Sequence, residues 1–207
     1  MERGPRILAG FVQGTLAAVS AQDADLGARV RERLLPATRQ ALERASRIAW
    51  VPIELDVEVT HAIYAELGPA RARELFRRNL SGALDSAVLR SLAQGALRLF
   101  GASPERLFSW APKVYSQLYR DSGEMRFALD EPGSARLELS ALPPCVARSR
   151  SYLDGVAASI VAGFDYMGTK GEVRIERHDV AALRATFRLE WDAEGDGQET
   201  LPAPVSA

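Results

Sequence analysis

Cysteine and histidine are nearly absent from this 207-residue chain, and each shortage closes off a class of chemistry. Cys145 is the only cysteine, so neither an intramolecular disulfide nor a cysteine-based zinc cluster can form within one chain. His61 and His178 are the only histidines, which leaves little for a catalytic triad or a multi-histidine metal site. No uninterrupted apolar run approaches the ~18–20 residues that a membrane-spanning helix needs. The N-terminus lacks an apolar segment followed by a cleavage site, so a cytoplasmic chain is expected. A net charge of −1 provides no field for steering the protein to nucleic acid or to an acidic membrane. The P-loop and the dinucleotide glycine fingerprint are both missing.

What remains is ordinary globular material, 47% apolar and 26% charged. The length suits one domain over residues 1–192, with a Gly-, Asp-, Glu- and Pro-rich tail over 193–207 expected to be disordered. Residues 7–19 are apolar enough for a helix or a buried strand, and Gly10 and Gly14 weaken the helix by about 1 kcal/mol each. Asp23 and Asp25 offer caps for a helix through Leu34, and Pro36 opens the next. Trp50-Val51-Pro52 breaks the helical pattern, because proline pushes its predecessor towards extended geometry. Ile53, Leu55, Val57 and Val59 then alternate as a strand would. Val59, Ala62, Ile63 and Leu67 instead fit a helix capped by Asp56 and stopped by Gly68-Pro69, and that explicit stop favours the helix. An arginine-rich helix over 71–80 and another over 84–100 complete a helical first half.

From Ser103 the patterns sharpen. Ser103-Pro104 is a strong helix start, and Leu107, Ala111, Val114 and Leu118 make its stripe, with Phe108, Tyr115 and Tyr119 beside it. Pro112 predicts a kink or a two-piece helix, with Gly123 as its end. Period-two alternation over 124–130 and 135–141 predicts a hairpin, and Val173, Ile175 and the run 183–191 predict two more strands. Between them lies a helix over 146–167. The fold class that follows is α+β: a helical N-terminal half and an antiparallel sheet of about four strands with helices packed on one face.

Candidate sites are few. Gly155, Ser159 and Gly163 recur at i, i+4, i+8, a ridge of small residues that lets a sheet, a helix or a flat ligand approach closely. Plain packing is one reading. The other makes the ridge a pocket wall, facing Trp110, Val114, Tyr115 and Leu118 on the kinked helix. Cys145 follows two prolines at a helix start, where a thiol can become reactive, or simply be buried. His61 reads as a core-edge histidine and His178 as part of a polar turn. Arg71, Arg73, Arg77 and Arg78 are diluted by Glu66 and Glu74, as on a solvated helix face. Asp154 and Asp165 form no recognisable carboxylate pair.

Trp50-Val51-Pro52, Ser103-Pro104, Pro112-Lys113-Val114-Tyr115, Gly123, Pro143-Pro144, Tyr152 with Gly155, and Phe187 to Trp191 occur in an order that resembles a large paralogous family of myxobacterial proteins, across residues 7–192. The second half more distantly resembles 4-vinyl-reductase-type domains, haem-nitric-oxide-binding-like domains and TRAPP trafficking subunits. That resemblance implies an α+β fold whose relatives dimerise or bind small hydrophobic ligands between helices and sheet. It also departs from those relatives. The cysteines of many 4-vinyl-reductase-type domains have no counterpart over Val173 to Trp191. Nor does Tyr115-Ser116-Gln117-Leu118-Tyr119 reproduce the Tyr-x-Ser-x-Arg signature of the haem sensors, so neither haem nor zinc is expected. The reading that results is a non-enzymatic sensory or regulatory domain with an apolar ligand. A homodimeric interaction or scaffold module without a ligand is the alternative.

Overall fold

Arg6–Leu8 forms a short strand (β1) and Ala9–Gln22 a helix (α1), so the apolar stretch that suited either is both. The computed structural model describes residues 4–84 and 103–192. The helix expected over 84–100 and the tail over 193–207 therefore fall, apart from residue 84, outside the described residues. Asp23 caps the second helix (α2, Ala24–Arg33), its carboxylate accepting from the Asp25 and Leu26 amides at 2.9 and 3.0 Å. Pro36 opens α3 (Pro36–Arg44) as its sequence position required.

Trp50–Pro52 is a strand (β2), and it pairs with β1. The chain then enters α4 (Ile53–Leu84), in which Gly68 adopts φ 72°, ψ 168° immediately before Pro69. The Gly-Pro signal thus ends the first helical stretch at Gly68, as the sequence predicts, and Pro69 opens a second stretch across the kink. Asp56 does not cap the helix: α4 starts three residues earlier, and Asp56 lies buried in its first turn.

Ser103 caps the next helix as expected, accepting from the Arg106 amide at 3.3 Å. Pro112 splits it into α5 (Pro104–Ser109) and α6 (Ala111–Leu118), because proline has no amide to continue the ladder. The second piece stops at Leu118, not at Gly123, because Tyr119–Arg120 becomes a strand (β3) on the free edge of β1. No local pattern announces this three-stranded sheet, β2-β1-β3. The Arg120 guanidinium covers the Trp50 ring at 4.0 Å across it.

The second sheet comprises β4 (Glu124–Glu131), β5 (Ser134–Ser140), β6 (Gly171–Asp179) and β7 (Arg184–Trp191), antiparallel in the order β4-β5-β7-β6. Pro144–Ala147 (α7) and Arg150–Met167 (α8) replace the single helix expected over 146–167. Ser149 breaks it, since its hydroxyl caps α8 by accepting from the Tyr152 amide at 3.1 Å. Leu137, Leu139, Phe187 and Leu189 point inward to meet Leu153 and Phe164 of α8. A second core, with Val12, Leu16, Val30 and Ile63, joins α1, α2 and α4.

On the outer face Arg136 lies opposite Arg188, and Arg188 opposite Arg174. Such a row repels itself unless acids are interleaved. Asp130 bridges Arg136 and Arg188 at 2.7 and 3.0 Å, and Glu190 reaches Arg174 at 3.0 Å.

Gly123 belongs to the turn into β4. It holds φ 97°, and a Cβ there would stand 2.5 Å from the Ser140 carbonyl oxygen. Gly123→Ala is therefore expected to destabilise the protein by about 1–3 kcal/mol, measured by urea denaturation.

Candidate ligand cavity

A cavity of about 220 Å³ opens between α4, α5, α6, α8 and the inner face of the large sheet. Helical periodicity supplies its walls. From α4 come Ile53, Asp56 and Thr60, and from α8 come Tyr152, Gly155, Val156, Ser159, Ile160 and Gly163. The kinked pair contributes Leu107, Phe108, Trp110, Val114, Tyr115 and Leu118, while Met125, Leu137 and Leu139 come from the sheet. All seven residues singled out from the sequence as pocket walls are present: Trp110, Val114, Tyr115, Leu118, Gly155, Ser159 and Gly163.

The small-residue ridge serves close packing at the same time. A Cβ at Gly163 would come within 2.8 Å of the Phe108 ring, and one at Gly155 within 3.4 Å of Phe76. Gly163 lets the Phe108 ring lie directly on the α8 backbone, whereas a Cβ at Gly155 would make only ordinary contact with Phe76; Phe108 also meets Phe164 edge-on at 4.8 Å.

The polar end of the cavity is a chain of hydroxyls that ends on a carboxyl group. Tyr152 donates to Asp56 Oδ2 at 2.7 Å, and the Tyr119 and Tyr152 oxygens are 3.3 Å apart. With its own proton committed to Asp56, Tyr152 accepts from Tyr119. Tyr119 also stacks on Tyr115, ring centroids 4.4 Å apart, and Tyr115 donates to the Ser122 carbonyl at 2.8 Å. Burial pushes the Asp56 carboxyl up to about 6, although the Tyr152 hydrogen bond pulls the other way. Burial also raises the phenols of Tyr115, Tyr119 and Tyr152, the last two further under the neighbouring Asp56 charge, so all three stay neutral donors.

Asp56 is the functional candidate that sequence reasoning missed, having been taken as a helix cap. The signal was there: Ile53, Asp56, Thr60 and Ile63 share one face of α4, which places an acid on an apolar stripe. Tyr119 and Tyr152 were visible as aromatics, but only the fold aims them at Asp56.

The other candidates lie elsewhere. Cys145 is half-buried, with Sγ 3.9 Å from Glu54 Oε1. Burial and the Glu54 charge push its thiol up, opposite to the activation that a helix start suggested. His61 Nε2 shares a 2.6 Å hydrogen bond with Ser149 Oγ, and His178 Nε2 donates to the Ala147 carbonyl at 2.6 Å. Arg73 and Arg77 pair with Asp154 and Asp165 of α8, so two acids that form no carboxylate pair clamp α8 to α4. Among the described residues no group of three potential ligands could hold a metal ion.

Because folded Asp56 keeps its proton to about 6, against 3.8 for an ordinary aspartate, the folded state binds more protons in that window. Stability is therefore fully present below pH 3.8 and falls as pH rises through about 6, by roughly 3 kcal/mol in all. Asp56→Asn, which mimics the protonated acid, is expected to raise Tm over the parent protein at pH 7.5. That advantage is expected to vanish near pH 4, and paired thermal denaturation at both pH values checks it.

No family model matches the sequence, and no curated protein does. Solved structures do match in shape. An Fe(II) unliganded H-NOX protein from K. algicida superposes with a TM-score of 0.62 at 10% identity, covering 90% of this chain and 97% of that one. A mutant of T. Tengcongensis H-NOX gives 0.59 at 10% identity over 90% and 98%. An oxygen-binding H-NOX domain related to soluble guanylate cyclases, in its oxygen complex, gives 0.56 at 10% identity over 90% and 95%. At such identities the likeness shows the fold alone, an H-NOX-like α+β fold.

Proposed function

We propose that this chain is a non-enzymatic sensory or regulatory domain that takes a small apolar ligand into the cavity between helices and sheet. The cavity itself carries the reading. Protein interiors are close-packed, and an engineered apolar cavity of about 150 Å³ is already enough to bind benzene. At about 220 Å³ the space here suits a molecule somewhat larger than one aromatic ring. The H-NOX neighbours, one of them an oxygen complex, support a sensory role for such a site.

Two further structural neighbours are described through heme distortion and heme redox potential. An iron porphyrin does not fit the residues present here. Iron needs an axial imidazole, thiolate, thioether or phenolate. Neither histidine lines the cavity, and both ring Nε2 atoms are engaged elsewhere. Cys145 is not among the described lining residues, and the three lining tyrosines have hydroxyls held neutral by burial and committed to protein partners. Met125 is left, a lone thioether. The interaction-module alternative gains less support, because Arg136, Arg174 and Arg188 of the outer sheet face are neutralised by acids on the same face.

Naphthalene is the probe of choice for this reading. It is expected to raise Tm, with about 2.7 kcal/mol of stabilisation at a hundred times its Kd. Ser159→Phe, which fills the cavity, is expected to abolish the shift. An unchanged Tm in the parent protein, together with no organic molecule in denaturing mass spectra of freshly purified protein, would overturn the ligand-binding reading.

A further inference from the structure

We infer that the cavity selects lipophilic amines, with the Asp56 carboxylate receiving the ammonium group of the ligand; this inference rests on the ligand-binding reading above. The lining is two-ended. Asp56, Tyr119 and Tyr152 make one polar end, and most of the remaining wall is aliphatic or aromatic. Such a site matches a molecule with an apolar body and a single polar head.

The sign of that head follows from charge. Asp56 is the only acid among the described lining residues, and they include no lysine, arginine or histidine. No ion pair among the described residues involves Asp56, whose one hydrogen bond comes from the neutral Tyr152 hydroxyl. The titratable groups facing it are Tyr152 of α8 and Tyr119 of β3, with Tyr115 of α6 behind, all phenols. A buried carboxylate without a cation is an incomplete pair.

Folding has already removed Asp56 from water, so an arriving ammonium bears only its own desolvation cost while relieving that of the acid. A ligand carboxylate would instead place like charges together, and an alcohol would supply only a neutral hydrogen bond. The stacked Tyr115–Tyr119 pair, whose Tyr119 hydroxyl lies 3.3 Å from that of Tyr152, adds an aromatic surface beside the head.

Three probes sharing one ring system separate these cases: 1-naphthylmethylamine, 1-naphthylmethanol and 1-naphthoate, titrated calorimetrically into the full chain at pH 7.5. The amine is expected to bind about ten- to a hundredfold more tightly than the alcohol, the gain of one charge-assisted contact, and the naphthoate most weakly. The amine-to-alcohol ratio should fall towards unity in Asp56→Asn, and in the parent protein at pH 5, where Asp56 regains its proton. Tyr152→Phe, which keeps the carboxylate, should retain the preference. Equal binding of amine and alcohol, or a preference that survives Asp56→Asn, would overturn the amine selectivity and leave the ligand-binding reading standing. Failure of all three probes to bind would overturn both.

Discussion

Burying the Asp56 carboxyl against the Tyr152 hydroxyl is the constraint on which the two halves of this protein depend. A carboxyl group taken out of water without a partner is expensive, so the geometry that brings α4 and α8 together has to keep those two atoms at 2.7 Å. The neighbouring links follow the same line. His61 meets the Ser149 cap one turn away, while Arg73 and Arg77 hold Asp154 and Asp165 further along. These polar contacts and the Phe76 ring against Gly155 together fix the alignment of the two helices.

That alignment also makes the cavity. With α4 and α8 fixed, the α5–α6 pair closes the remaining side, and its break at Trp110 decides how closely it can approach. Phe108 of α5 sits directly on Gly163, while α6 stands off and has no fully buried residue of its own. Leu107 and Phe108 before the break and Val114, Tyr115 and Leu118 after it line the cavity from both pieces. The small sheet anchors the other end: Tyr119 is held in β3 opposite Ile7, which points its ring and hydroxyl back towards Tyr152.

Energetically the site is poised against the fold. An Asp56 carboxylate stabilises nothing around it except through Tyr152, so an apolar residue or an amide would serve the fold better at neutral pH. A buried acid of this kind supports the ligand site proposed above. The outer sheet face shows the opposite economy, since its arginine row is interleaved with Asp130 and Glu190.

The sequence by itself determined the α+β class, the strands of the large sheet, the Pro112 break and the small-residue ridge of α8. Each rests on a local rule: alternation, helical spacing, a missing amide, or an absent side chain. Tertiary structure decided the rest. Gly68-Pro69 ends one helical stretch as its local rule requires, but that a second follows directly across the kink depends on what the later turns pack against. That Tyr119–Arg120 becomes a strand depends on an edge offered by residues more than a hundred positions earlier. The role of Asp56 was undecidable locally, because an acid in the first turn of a helix caps, pairs or faces water equally well. Only the approach of α8, ninety-six residues further along the chain, buries it beside a phenol and turns a surface charge into the polar end of a cavity.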